Sequence, residues 1–319
     1  MSKACLIVAT LLALCASSHA QTPRWPGKPV RVIVPVSPGG GTDIMARTLA
    51  TKLSEEYGQA FVIDNRGGGG GTIGAETTVR AAPDGHTLAV MGGSYAANAA
   101  LYKLPYDAVR DITPISILGT GPFVIVVHPS VKAATLKELI ELARARPNAL
   151  AYGSSGVGST LHLAGELFRQ MSKTELLHVP YKGGGAANAD LLGGHIQVIF
   201  GPAVQLLPLI RSGHVRGIAT AGEQRMAQLP ELPTVNEMLP GYTVHAWYNF
   251  WGPRGMPNDI VRRLNASVGR VLKQPEVIEW LRGEGMQPAH TTPAEFAVQL
   301  EREVSKWKSV VRTGNIKAN

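Results

Sequence analysis

The chain has 319 residues, 45% hydrophobic and 17% charged, with a formal net charge of +8. Its cations are scattered and form no stripe interleaved with aromatics, which argues against nucleic-acid binding. The length suits one large or two medium domains, and no segment beyond the N-terminus is apolar and long enough to cross a bilayer.

The first twenty residues, MSKACLIVATLLALCASSHA, place one cation, Lys3, before an apolar run from Leu6 to Leu14 and a small-x-small ending at Ser18–Ala20. This is the pattern of a secretory signal peptide, with cleavage expected after Ala20. Leu14 stands where a lipobox would place a small residue before Cys15, so cleavage is expected and lipid anchoring is not. Both cysteines, Cys5 and Cys15, leave with the leader. That excludes a disulfide framework, a cysteine nucleophile and thiolate metal sites from the mature chain.

Short apolar runs then alternate with helical spacings. A valine-rich run, Pro29 to Val36, predicts a strand, and Thr42 to Tyr57 places Ala46, Ala50, Leu53 and Tyr57 on one helix face. The theme repeats in strand 61–64, helix 72–82 and strand 87–91. It begins again with strand 149–152, a helix from Ser159, strand 177–181, helix 186–192, strand 196–200, helix 204–211 and strand 217–220. Such alternation predicts α/β architecture with parallel sheets in two similar lobes. The extended segments 123–128 and 242–251 are long enough to pass between lobes. Phe296, Leu300, Val304, Trp307 and Val311 form a core stripe on a C-terminal helix that returns to the first lobe. A cleft is expected between lobes, where the C-terminal ends of both sets of strands meet.

Two glycine-rich turns open onto predicted helices: Ser37-Pro38-Gly39-Gly40-Gly41 before Thr42 and Asp43, and residues 153–158 before Ser159. A helix N-terminus carries unpaired N–H groups and partial positive charge, so a turn bare of side chains lets an anion reach the backbone. Thr42 and Ser159 are placed to cap their helices. Tight structural corners remain an alternative. Walker A would need a Gly-Lys-Ser/Thr ending, which neither turn has; Gly69, Gly71 and Gly74 match G-x-G-x-x-G only through a run of five glycines, with no acidic residue after the next strand. A nucleophile elbow at Ser155 would need glycine where Val157 stands, and His162, on the same helix, lacks a separate orienting acid. The nine histidines show no metal-binding spacing.

The runs Val34–Asp43, Gly153–Leu163 and His178–Gly194, with Leu232–Val235, Trp307 and Val310-Val311, resemble the periplasmic substrate-binding receptors of tripartite tricarboxylate transporters, the Bug family. The likeness runs in order through nearly all of the mature chain. It implies a type II periplasmic-binding-protein fold, a Venus flytrap with two hinge crossings: residues 1–20 a signal peptide, 21–127 with 246–319 lobe I, and 128–245 lobe II. It also implies a periplasmic, non-enzymatic, monomeric protein without cofactor or metal that captures a small organic acid and delivers it to membrane permease subunits. The ligand carboxylate would be held by backbone N–H groups and waters of the loop Ser37 to Asp43. From the other lobe would come Ser155, Gly156, Ser159, Thr160 and His162, with Val157 and Gly158 in the same loop, and Tyr181, Lys182 and Gly183 beside it. Ser94 and Asn98 are expected wall residues, as is Pro202. Where many relatives have an aromatic residue and an acid, this chain has Val36 and Gly201-Pro202. Those departures suggest a larger pocket and a carboxylate with an apolar or aromatic body and no ammonium group. A sensory protein using the same cleft, and a secreted α/β hydrolase, are the alternative readings.

Overall fold

The computed structural model describes residues 25–39 and 41–317. The expected signal peptide and Gly40 lie outside the described residues.

Among the described residues ten strands form one curled sheet whose main path runs β2-β1-β3-β9-β4-β7-β5-β6. At one end β1 (Val30–Val34) lies between β2 (Phe61–Asn65) and β3 (Thr87–Gly92), all parallel. At the other, β5 (Ala151–Ser154) lies between β6 (Leu177–Pro180) and β7 (Val198–Pro202), again parallel. Helices follow these strands: α1 (Gly41–Tyr57) after β1, α2 (Thr72–Val79) after β2 by way of a 3-10 turn at Gly69–Gly71, and α3 (Ser94–Leu101) after β3. After α4 (Leu136–Ala145), the second group repeats this with α5 (Thr160–Ser172) after β5, α6 (Gly184–Leu192) after β6 and α7 (Ala203–Arg211) after β7.

Both groups are parallel, as the alternation of strand and helix predicts, and they are joined by antiparallel strands whose direction the sequence left open. β4 (Ile112–Val127) pairs with β9 (His245–Pro253) through Pro122, then from Phe123 onward with β7 and β8 (Arg216–Thr220). β9 in turn pairs antiparallel with β3. Apolar periodicity reports burial and says nothing of direction. Only the return of the chain across the sheet makes β4 and β9 run against their neighbours. At the changeover Phe123 N donates to Val244 O (3.0 Å) and Ala221 N donates to Phe123 O (2.8 Å), so both crossings are hydrogen-bonded side by side. Register shifts in β4 near Pro114, Ile117 and Ile125 bend the long strand.

The core follows from the same strand. Phe123, Ile125 and Val127 belong to one apolar cluster and Val124 and Val126 to another, as alternation across a pleated strand requires. After α8 (Asn258–Val271), α9 (Pro275–Gly283) and β10 (Gln287–Pro288), α10 (Pro293–Thr313) closes the molecule. Its N-terminus is a capping box in which Thr292 and Glu295 satisfy each other's backbone N–H. It buries Phe296, Leu300, Val304 and Trp307 and packs on α3 and β4, while Val311 is only half-buried. Phe296 is fully enclosed, so Phe296→Ala is expected to cost about 3–5 kcal/mol, read as a lowered midpoint in urea at unchanged m-value. A loss below about 1 kcal/mol would mean that α10 is not part of the core.

Candidate functional site

Where the parallel strands of both groups end, their C-terminal edges face one cleft with about 460 Å³ of empty space, open mouth included. Five helices begin at it: Gly41 and Thr42 of α1, Ser94 of α3, Thr160 of α5, Gly184 of α6 and Pro202, the N-cap of α7, all line it. Among the described residues no Lys, Arg, Asp or Glu does. The cleft is therefore positive through helix ends alone.

The first loop is held from behind. Asn65 Nδ2 donates to Val36 O and to Asp43 Oδ1, both at 2.9 Å, while Asp43 Oδ2 accepts from Gly39 N (3.0 Å) and Arg47 Nε (2.9 Å). Burial works against the Asp43 charge, but Arg47, Asn65 and the Gly39 N–H outweigh it and hold the carboxyl below its usual range. Helix α1 starts at Gly41, so Thr42 lies in its first turn, lining the cleft, and is not the cap.

The second loop has its own support. Ser159 caps α5, accepting from His162 N at 3.2 Å. His162 Nδ1 accepts from Gly158 N (3.2 Å), and its ring stacks on His178 at 4.1 Å. His178 Nε2 pairs with Ser154 Oγ (2.7 Å), which also bonds the Gly156 backbone. Tyr152 stacks on the far face of this pair, 4.9 Å from His178.

The sequence-predicted residues fall into three positions. Ser94, Ser155, Thr160, Pro202, Gly41 and Thr42 line the cleft, with Val36 at its edge. Asn98 lines a small adjoining cavity, donating to Gly70 O at 3.0 Å. The rest build or close the site. Asp43, Ser159 and His162 brace the loops as described. Gly156, Val157 and Gly158 shape the second loop, where Val157 O accepts from Tyr102 Oη (2.7 Å). Ser37 Oγ donates to Lys182 O (2.9 Å) across the mouth, with Gly183 packed against Ser37. Tyr181 Oη donates to Asp190 (2.6 Å), and Pro38, Gly39 and the Lys182 side chain face solvent.

Sequence reasoning missed Trp247 and Tyr248 of β9, Gln205 of α7 and Phe123 of β4, which also line the cleft. The available signal was the pair of crossing segments: strands that pass between two halves run through the cleft between them. Among the described residues no cluster of His, Cys, Asp and Glu is placed to hold a metal, and no helix is long and apolar enough to cross a membrane.

A sequence profile described as "Tripartite tricarboxylate transporter family receptor" matches residues 45–316. The chain belongs to this family. It is 35% identical to protein BugT of Bordetella pertussis over 90% of each chain. The solved structure of R. palustris Rpa4515 with adipate superposes with a TM-score of 0.89 at 36% identity, covering 92% of this chain and 99% of that one. MatC (Rpa3494) from Rhodopseudomonas palustris with bound malate gives 0.87 at 32%, covering 90% and 100%. The fold is thus the two-lobed fold of periplasmic binding proteins, and this receptor-family chain is a binding protein and not an enzyme.

The histidine stack makes loop stability depend on acid. Burial holds both rings below their ordinary value of 6.5, His178 to about 3, with His162 and Arg169 adding to the effect on His178. The unfolded chain takes up these protons near pH 6.5 and the folded chain refuses them, so stability is complete above that pH and is lost as pH falls toward 3. The loss is at most about 1.4 kcal/mol per pH unit for each ring. Melting temperatures between pH 7.5 and 4.5 should fall less steeply for His178→Gln than for the parent; parallel curves would contradict the assignment.

Proposed function

We propose that the protein is a periplasmic receptor that captures a small carboxylate in the cleft and hands it to a permease of a tripartite tricarboxylate transporter. The observation that carries this reading is the convergence of five helix N-termini on a cleft that no charged side chain lines among the described residues. Helix ends and neutral donors stabilise an anion without burying a guanidinium, whose desolvation would have to be recovered from the ligand. The adipate and malate in the related structures are acids of the kind such a cleft suits. Secretion to the periplasm after cleavage at Ala20 fits the leader sequence, and the lobes are proposed to divide near residues 127 and 245.

Capture would work by hinge closure at β4 and β9. The contacts that close the mouth run between the two strand groups: Ser37 to Lys182, Tyr102 to Val157, and Thr160 N to Ser94 Oγ at 3.1 Å. Gly70 sits in this seam at φ +66°, where a Cβ would meet Val157 O at 2.5 Å. A side chain there would strain the backbone and hold the lobes apart.

The test is calorimetric titration and thermal shift of residues 21–319 with mono-, di- and tricarboxylates and aromatic acids. At least one acid should bind and, at a hundredfold its dissociation constant, add about 2.7 kcal/mol to stability. Gly70→Ala should weaken that acid about tenfold, the equivalent of about 1.4 kcal/mol of strain. Absence of binding by every acid would overturn the reading.

A further inference from the structure

Three buried donors in the cleft have no acceptor among the described residues. Trp247, Tyr248 and Gln205 are 3%, 2% and 6% exposed, and Trp247 Nε1, Tyr248 Oη and Gln205 Nε2 have no hydrogen-bond partner among the described residues. All three residues line the cleft. Leaving a buried donor unpaired costs about 1–3 kcal/mol each, which is recovered only when an acceptor arrives. An indole N–H and an amide nitrogen can only donate. Burial raises the Tyr248 hydroxyl well above its ordinary pKa, so it too keeps its proton. These groups call for oxygen acceptors, and no carboxylate lines the cleft to receive an ammonium group.

The donors sit in two places. Neighbouring residues of a strand point to opposite faces, and Trp247 and Tyr248 are neighbours in β9. The Tyr248 hydroxyl is pressed against Gly41 at the start of α1, so close that any Cβ there would collide with it, and Val204 and Pro202 flank the same spot. Gln205 belongs to the same helix as Val204 and lies against Gly184 at the start of α6. Trp247 turns the other way, its ring 6.1 Å from Phe296 of α10, with Nε1 beside Gly93 near Thr160 Oγ1. β3 ends at Gly92 opposite Tyr248, which leaves the edge of β9 beyond it open to the cleft.

We infer that the cleft contains two neutral oxyanion subsites, one formed by Tyr248 and Gln205 at the N-termini of α1 and α6, the other by Trp247 at those of α3 and α5. The ligand that satisfies both is a dicarboxylate without an ammonium group. This rests on the carboxylate reading above and names the residues that choose among carboxylates. A monocarboxylate leaves one subsite unpaired, and an amino acid brings a donor to a cleft already full of donors.

The experiment titrates residues 21–319, and the variants Tyr248→Phe, Gln205→Met and Trp247→Phe, with succinate, adipate and hexanoate by calorimetry. The better of the two diacids should bind the parent at least about tenfold more tightly than hexanoate. Tyr248→Phe and Trp247→Phe should each weaken that diacid about tenfold. Hexanoate, which occupies one subsite, should lose affinity in only one of these two variants. Equal binding of hexanoate and diacid by the parent, or equal losses for both acids in both variants, would overturn the inference while leaving the carboxylate reading intact. Failure of all three acids to bind, where another carboxylate does bind, overturns the dicarboxylate assignment alone; failure of every carboxylate overturns the reading beneath it. Should Trp247→Phe not fold, as a melting curve would show, Tyr248→Phe and Gln205→Met carry the same comparison: neither may weaken hexanoate and diacid alike unless hexanoate uses their subsite, in which case a diacid advantage that survives both variants overturns the inference.

Discussion

The first turn of a helix holds N–H groups that no carbonyl of that helix can reach, and here five such turns open into one cleft. The rest of the architecture serves that arrangement. A parallel strand followed directly by its helix puts the helix N-terminus at the strand's C-terminal edge. Two parallel groups set edge to edge therefore bring two sets of N-termini together. The antiparallel strands β4 and β9 hold the groups in that relation: β4 runs from one to the other, pairing with β9 and then β7, and the chain leading into β9 is tied to the second group where Val244 N donates to Ala221 O. The loops between strand and helix must then stay bare enough for a ligand to reach the backbone, and rigid enough to aim it.

Rigidity comes from side chains that do not line the cleft. Asp43 draws Gly39 N, Asn65 and Arg47 into one network behind the first loop. The His162–His178 stack, tied to Ser154 and Gly158, does the same for the second. Both devices keep charge out of the cleft itself: the carboxylate is neutralised from behind and the imidazoles are held neutral by burial. The site is thus electropositive without a cation, which suits a receptor that must release what it binds.

Much of this was legible in the sequence. The valine-rich runs and the three-and-four spacings located the strands and helices of both groups, and the bare turns at residues 37–41 and 153–158 marked the two helix starts that matter most. Ser159 was readable as a cap because a cap is local chemistry. The parallel direction within each group was readable from the alternation of strand and helix, but the antiparallel run of β4 and β9 was not, since burial leaves the same pattern in either orientation. Asp43 and His162 showed that a residue within a binding motif can serve the loop's shape: which way a side chain points depends on partners such as Asn65 and His178, distant in sequence. Trp247, Tyr248 and Gln205 were hidden for the complementary reason. An aromatic pair in an apolar strand reads as core, and only the pairing of β9 with β3 and β4 brings those two polar atoms to the cleft.

The central claim is that a ligand anion is held here by helix ends and neutral donors alone. A crystal structure of residues 21–319 with a bound acid tests it most directly. The account predicts carboxylate oxygens within about 2.7–3.2 Å of backbone N–H groups or ordered water at the first turns of α1 and α5, with no lysine or arginine nitrogen in contact. A carboxylate paired instead with Lys182, or with any other cation drawn into the cleft, would contradict it.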